Sequence, residues 1–83
     1  MTFAEQCYVD AELSFARWIS GLGGWAHADS LRGNNDPYAQ IANNWIDGHH
    51  TSAGRLRRAK KDRADVVELT DAGRTWCREQ GIS

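Results

Sequence analysis

The most informative stretch of the chain is residues 54–74, which read GRLRRAKKDRADVVELTDAGR. Apolar and charged residues alternate around Leu56 and again around Val67, which is the pattern of β-strands with one buried face. The polar run between these two segments is typical of a turn. The stretch therefore predicts a β-hairpin with strands near 55–60 and 64–70.

A basic helix over 52–64 is the competing interpretation of the first half of this stretch. Its only large apolar residue would be Leu56, and one such residue is too little to hold a helix against a core. We therefore favour the hairpin. After it, Thr70 or Asp71 is a suitable N-cap for a last helix near 71–80. The residues of that helix expected to face inward are Ala72, Trp76 and Cys77.

Helical spacing predicts two longer helices before the hairpin. The first lies near 3–21, begins at a capping box of Thr2 and Glu5, and ends at a cluster of glycines. Its apolar stripe consists of Tyr8, Ala11, Phe15, Trp18, Ile19 and Leu22. The second lies near 37–47, after Asp36-Pro37, which is a strong helix start. Its apolar stripe consists of Tyr38, Ile41, Ala42, Trp45 and Ile46.

The segment between these two helices has weaker signals. Trp25 and Ala26 are expected to form an extended link. A short helix near 27–33 is expected to follow, with Ala28 and Leu31 facing inward.

Length and composition exclude several functional classes. The chain has 83 residues and a mass of 9.3 kDa, so we expect one small domain rather than a barrel or doubly wound enzyme scaffold. No apolar run approaches the roughly 20 residues needed to cross a bilayer, and we see no secretory signal at the N-terminus. Cys7 and Cys77 are the only cysteines, which favours a reduced, cytoplasmic protein.

Nothing in the sequence indicates catalysis, a cofactor or a metal. His49, His50 and the two cysteines do not have the spacing of zinc ligands. The glycine cluster at 21–24 follows a predicted helix, whereas a phosphate-binding loop precedes one. We therefore expect a protein that is not an enzyme.

Charge is distributed unevenly along the chain. Residues 1–50 hold 2 basic and 6 acidic residues, for a net charge of −4, whereas residues 51–83 hold 8 basic and 5 acidic residues, for +3. The basic run consists of Arg55, Arg57, Arg58, Lys60, Lys61 and Arg63. Such a run is either a solvated surface segment or an electrostatic footprint for nucleic acid.

The order helix, short helix, helix, hairpin, helix is that of a winged helix, and residues 54–74 resemble the wing of MarR-type transcriptional regulators. In that family the recognition helix ends at a glycine, and a basic strand, an Asp-Arg-Arg turn and a strand running into Leu-Thr-x-x-Gly-Arg follow. This chain has Asp62-Arg63-Ala64, without the second arginine, and keeps the last motif in full over 69–74. The resemblance implies a small α+β winged helix over 1–83, with three helices, a two-stranded wing and a C-terminal helix.

By the same resemblance, the helix near 37–47 is the recognition helix. Its polar face carries Gln40, Asn43 and Asn44, and side-chain amides pair bidentately with adenine in the major groove. The wing residues expected at the DNA backbone are Arg55, Arg57, Arg58, Lys60, Lys61 and Arg63.

Two functions from different classes are compatible with these features. The basic wing favours a small DNA-binding regulator of transcription, with double-stranded DNA as partner. The alternative is a protein-binding winged helix, such as a small inhibitor or adaptor encoded by a phage or mobile element. The lack of Lys or Arg on the recognition helix, and the acids Asp36 and Asp47 beside it, favour this alternative. No membrane partner is expected, and a second copy of the chain, forming a homodimer, is a further candidate partner.

Overall fold

The computed structural model describes residues 3–31, 37–48 and 53–82, with side chains from Gln6 onward. The elements are, in chain order, α1 (Phe3–Gly21), β1 (Trp25–His27), a 3₁₀ turn (Ala28–Leu31), α2 (Pro37–Asp47), β2 (Leu56–Lys61), β3 (Ala64–Leu69) and α3 (Asp71–Glu79). The architecture is a small α+β fold with the element order of a winged helix, as the sequence predicts.

The hairpin predicted from alternation is confirmed. β2 and β3 pair antiparallel, and Lys61 opposite Ala64 is the last pair of the ladder. The turn therefore consists of Asp62 and Arg63, whose φ angles are 51° and 69°. Two positive φ angles define the type I′ turn, whose twist matches that of the flanking strands. The competing helix over 52–64 is wrong.

The sheet has one strand more than predicted. Trp25, Ala26 and His27 form β1, which pairs antiparallel with β3 and gives the strand order β1-β3-β2. The Leu69 N–H donates to the Gly24 carbonyl at 2.8 Å and extends this contact. Three residues are too few for alternation to be recognised. They form a strand because they pair with the edge of β3 that β2 does not occupy.

The predicted short helix near 27–33 is present as a 3₁₀ helix over Ala28–Leu31. The expected caps at Thr2 and Asp36, and the pair His49 and His50, lie outside the described residues. Within the described ranges, no helix is both long enough and apolar enough to cross a membrane.

The core lies between α1, α2 and one face of the sheet. Trp45 and Phe15 are fully buried, with ring centroids 5.1 Å apart and planes 82° apart. The predicted burial of the α2 stripe is thus confirmed at its centre. The α1 stripe is wrong at its ends, since Tyr8 is 38% and Leu22 50% exposed. Tyr8 lies beside Asn44 on the exposed face of α2, not beside the buried stripe, and Leu22 follows the last residue of α1.

The start of α3 explains the spacing of the Leu-Thr-x-x-Gly motif. Thr70 is the N-cap, and its hydroxyl accepts from the Gly73 N–H at 3.1 Å. A Cβ atom on Gly73 would collide with the carbonyl oxygen of Arg55, so glycine permits α3 to lie against the start of β2. Because Gly73 takes this inner position, the neighbouring Ala72 is exposed and its predicted burial is wrong, whereas Cys77 is buried as expected.

Candidate nucleic-acid interface

The exposed face of α2 carries the predicted base-reading side chains. Ile41 and Trp45 are buried and lie on the side of the helix that packs against the core. Gln40 and Asn43 lie on the other side and are exposed. Within the described part of the chain, neither of their amide groups has a hydrogen-bond partner, so both remain available to a ligand.

Asn44 shares this face, but α1 holds its side chain. Its Nδ2 donates to the Tyr8 hydroxyl at 3.0 Å. This contact leaves the amide oxygen and one hydrogen free, so Asn44 retains part of its hydrogen-bonding capacity. The contact also gives the exposed ring of Tyr8 a positioning role that periodicity did not predict.

A shallow groove joins the polar face of α2 to the hairpin. Its volume is about 140 Å³, and both Asn43 and Arg58 line it. Ile46 and Val67 are among the apolar residues that line the same groove. The structure thus brings a predicted base reader and a predicted phosphate contact, 15 positions apart in the sequence, to one continuous surface.

The alternation of β2 divides the basic wing residues between two faces of the hairpin. Arg58 lies opposite Val67 in the ladder, and Val67 belongs to the core cluster. Arg58 therefore projects to the side on which α2 lies, and Lys60, two residues on, shares that side. Arg57 and Lys61 project to the opposite side. We call these the α2 face and the far face of the hairpin.

On the α2 face, each basic residue has one exposed acidic partner. Arg58 Nη1 lies 3.3 Å from Asp47 Oδ2, and Lys60 Nζ lies 3.7 Å from Asp65 Oδ1. All four side chains are more than 60% exposed, and such pairs contribute about 0–1 kcal/mol. A phosphate can therefore replace the carboxylate at little cost. The pairing also places Asp47, an acid expected to repel DNA, against a guanidinium.

On the far face, the basic residues have more restrictive contacts. Arg57 Nε donates to Glu68 Oε1 at 2.6 Å, and the Glu68 side chain is only 19% exposed. Lys61 Nζ lies 5.3 Å from the centre of the Trp25 ring, within the range of a cation–π contact. Arg57 and Lys61 therefore make stabilising contacts on the surface of the sheet in addition to carrying charge.

Arg63 occupies the tip of the hairpin. It is exposed, and no carboxylate of the described residues lies within 4.0 Å of its guanidinium. Its guanidinium is therefore free of ion pairs with the described residues.

Arg55 belongs to a different environment from the other predicted wing residues. Its side chain is 14% exposed, and Nη1 lies 3.4 Å from Glu12 Oε2. The guanidinium carbon lies 4.3 Å from the centre of the Trp76 ring. The same carboxylate oxygen accepts from Trp45 Nε1 at 2.9 Å. Arg55 therefore links α1, α2 and α3 instead of facing solvent, and we do not retain it in the candidate interface.

The described residues contain no group of three or more His, Cys, Asp or Glu side chains placed to hold a metal ion. Cys7 is exposed and Cys77 buried, and both are free thiols.

Comparisons with protein-family models, with curated proteins and with solved structures gave no match.

Proposed function

We propose that this protein binds double-stranded DNA, with α2 in the major groove and the hairpin along the adjacent backbone. The observation that carries the proposal is the groove lined by both Asn43 and Arg58. A winged-helix reader needs amides that recognise bases next to cations that bind phosphates. The resemblance of residues 54–74 to a MarR-type wing supports the same function, as a transcriptional regulator in the cytoplasm.

The two faces of the hairpin refine the set of contacts. Gln40 and Asn43, with the free part of Asn44, would read base edges. Arg58 and Lys60 on the α2 face would bind phosphates, and Arg63 at the tip would reach the backbone or the minor groove beyond. Arg57 and Lys61 point away from a duplex seated on α2, so their contribution is smaller.

Matched arginine variants test this arrangement. We expect Arg58→Ala to weaken duplex binding uniformly across sequences and to reduce the salt slope by about one unit. Arg57→Ala, one residue away on the far face, removes the same charge and is the control, for which we expect a clearly smaller change. Equal losses from the two variants would show that overall charge, not the α2 face, governs binding.

Asn43→Ala tests base reading separately. It should relax preference at one base pair, at a cost of about 1–3 kcal/mol, and leave the salt slope nearly unchanged. The measurement is a competition titration with duplexes that differ at single positions. An Asn43→Ala protein with unaltered sequence preference would remove α2 as the reader.

A protein-binding winged helix is the second candidate function. It is favoured by the carboxylate partners that three wing cations already have within the chain, Arg57, Arg58 and Lys60, and by the absence of Lys and Arg from α2. If the wild-type protein binds no duplex at low salt, this function becomes the leading one, with an acidic protein surface as the partner of the wing.

A further inference from the structure

The strand β1 lies at the edge of the sheet, where its outer side faces no other strand of the described residues. In an antiparallel pair, residues that exchange main-chain hydrogen bonds with the neighbouring strand alternate with residues whose N–H and C=O groups point outward. Gly24 is of the first kind, because its carbonyl accepts from the Leu69 N–H at 2.8 Å in register with the ladder. Ala26 is therefore of the first kind as well. Trp25 and His27 direct main-chain groups away from β3.

These outward groups are available to a further strand. Within the described ranges, neither the Trp25 nor the His27 N–H donates to a main-chain carbonyl in a turn or loop, and the Trp25 carbonyl accepts no such bond. The Trp25 side chain is half-buried and that of His27 is exposed. An extended segment of another chain can add to such an edge through main-chain hydrogen bonds, with pockets for alternate side chains giving specificity.

An apolar cavity adjoins this edge. Its volume is about 240 Å³, and Leu22, Ala26 and Ser30 are among its lining residues. Leu22 is 50% exposed, so an apolar side chain placed against it would remove apolar surface from water. The volume is below the range of small-molecule sites, about 300–1,000 Å³. The cavity therefore suits a single side chain of a longer partner.

Aromatic and cationic side chains lie beside β1 on the far face. Trp25 is opposite Glu68, which is opposite Arg57, so Trp25 and His27 both project to this side. Their ring centroids are 5.2 Å apart, and Lys61 Nζ lies 5.3 Å from the centre of the Trp25 ring. No carboxylate of the described residues lies within 4.0 Å of Lys61 Nζ. A carboxylate on an added strand would meet this ammonium group and an imidazole N–H.

We propose that β1 binds an extended acidic segment of a partner protein, which adds to the sheet as an antiparallel strand. The segment has an apolar residue between two acidic ones. The apolar residue lies opposite Ala26 and enters the cavity beside Leu22, whereas the acidic residues lie opposite Trp25 and His27 on the far face. A duplex seated on α2 would occupy the other side of the hairpin, so the proposal does not depend on DNA binding.

The direct test is a titration of ¹⁵N-labelled protein with the acetylated and amidated peptide Thr-Glu-Leu-Glu-Thr. We expect saturable shifts at millimolar concentration, concentrated at the amides of Trp25, Ala26 and His27. The peptide Thr-Lys-Leu-Lys-Thr should bind about tenfold more weakly, because like charges would meet on the far face. Absence of saturation, or equal binding of the lysine peptide, would overturn the proposal. The same shifts on concentrating the protein without peptide would assign the edge to a second copy of the chain instead.

N-methylated peptides test strand pairing without changing the protein. With the peptide leucine opposite Ala26, the second glutamate lies opposite Trp25, and its N–H donates to the Trp25 carbonyl. N-methylation of this glutamate should weaken binding by about tenfold, since one hydrogen bond contributes about 0.5–1.5 kcal/mol and the methyl group also obstructs the strand. N-methylation of the leucine, whose N–H points away from β1, should have a much smaller effect. Equal losses from the two peptides would contradict pairing in this register.

Two pairs of protein variants test the same contacts. His27→Pro and His27→Ala both remove the imidazole, but only proline removes the N–H at the free edge, a position where edge strands tolerate it. We expect His27→Pro to abolish saturable binding and His27→Ala to weaken it several-fold, with thermal melts confirming that both are folded. Lys61→Gln should weaken binding several-fold, whereas Lys60→Gln, on the α2 face, should leave it unchanged. Equal affinities within either pair would overturn the proposal.

Discussion

At the scale of single residues, the contacts that an arginine makes in the folded protein determine its role more than its membership of a basic run in the sequence. Arg55 and Arg57 are two positions apart and look equivalent in the sequence. The first is 14% exposed and packed on Trp76, whereas the second is 66% exposed. A nearly buried charge that loses its partner is costly, whereas an exposed pair contributes little.

We therefore expect Arg55→Ala to lower the free energy of unfolding by about 2–3 kcal/mol, since it leaves Glu12 without its cation and removes the contact with Trp76. Arg57→Ala should cost less than about 1 kcal/mol. Urea denaturation of both variants measures the difference. Equal destabilisation would contradict the structural role assigned to Arg55.

At the scale of elements, one substitution in the hairpin turn should change the stability of the fold and the proposed DNA binding in opposite directions. Arg63 adopts a left-handed conformation, with φ 69°, which is unfavourable for a residue with a side chain. Arg63→Gly should therefore raise the free energy of unfolding by about 0.5–1 kcal/mol, because glycine is preferred at the second position of a type I′ turn. The same variant should weaken duplex binding and reduce the salt slope by about one unit.

Lys61→Gly is the matched control for this variant. It also removes one cation, but it places glycine at the last position of β2 and loses the contact with Trp25, so it should lower stability. If Arg63→Gly destabilised the protein as Lys61→Gly does, the turn would not have the conformation described here.

The elements that could be predicted from the sequence are those with a local, repeated signal. The helix over 37–47 and the hairpin strands each repeat their apolar pattern over several positions, and both are present. β1 has only three residues and owes its conformation to pairing with β3. Local patterns therefore predicted the winged-helix order but not the third strand.

The parts of the candidate sites that could not be predicted depend on contacts between distant positions. Glu12 meets Arg55 across 43 positions, and no property of either residue alone indicates this pair. The close approach of the Arg74 guanidinium to Gly24, 50 positions away in the sequence, has the same origin. The division of the wing cations between two faces follows from alternation along β2. Which of these faces lies next to α2 could be identified only from the packing of the helices.

At the scale of the whole molecule, the net charge is −1, so the proposed DNA binding depends on the local arrangement of charge. The longest dimension is 42 Å, which corresponds to about 12 base pairs at 3.4 Å each. Short duplexes of about 20 base pairs are therefore long enough to hold one molecule. Only the cations that meet phosphates set the salt dependence of binding.

The affinity for such a duplex, measured at several salt concentrations, tests the proposed function most directly. Phosphate contacts from Arg58, Lys60 and Arg63 predict a slope of log affinity against log salt of about −3, since each contact contributes about −0.9. Arg58→Ala should change the slope to about −2, and Arg57→Ala should leave it almost unchanged. No detectable binding at low salt, or a slope near zero, would contradict the proposal that α2 and the wing form a DNA-binding surface.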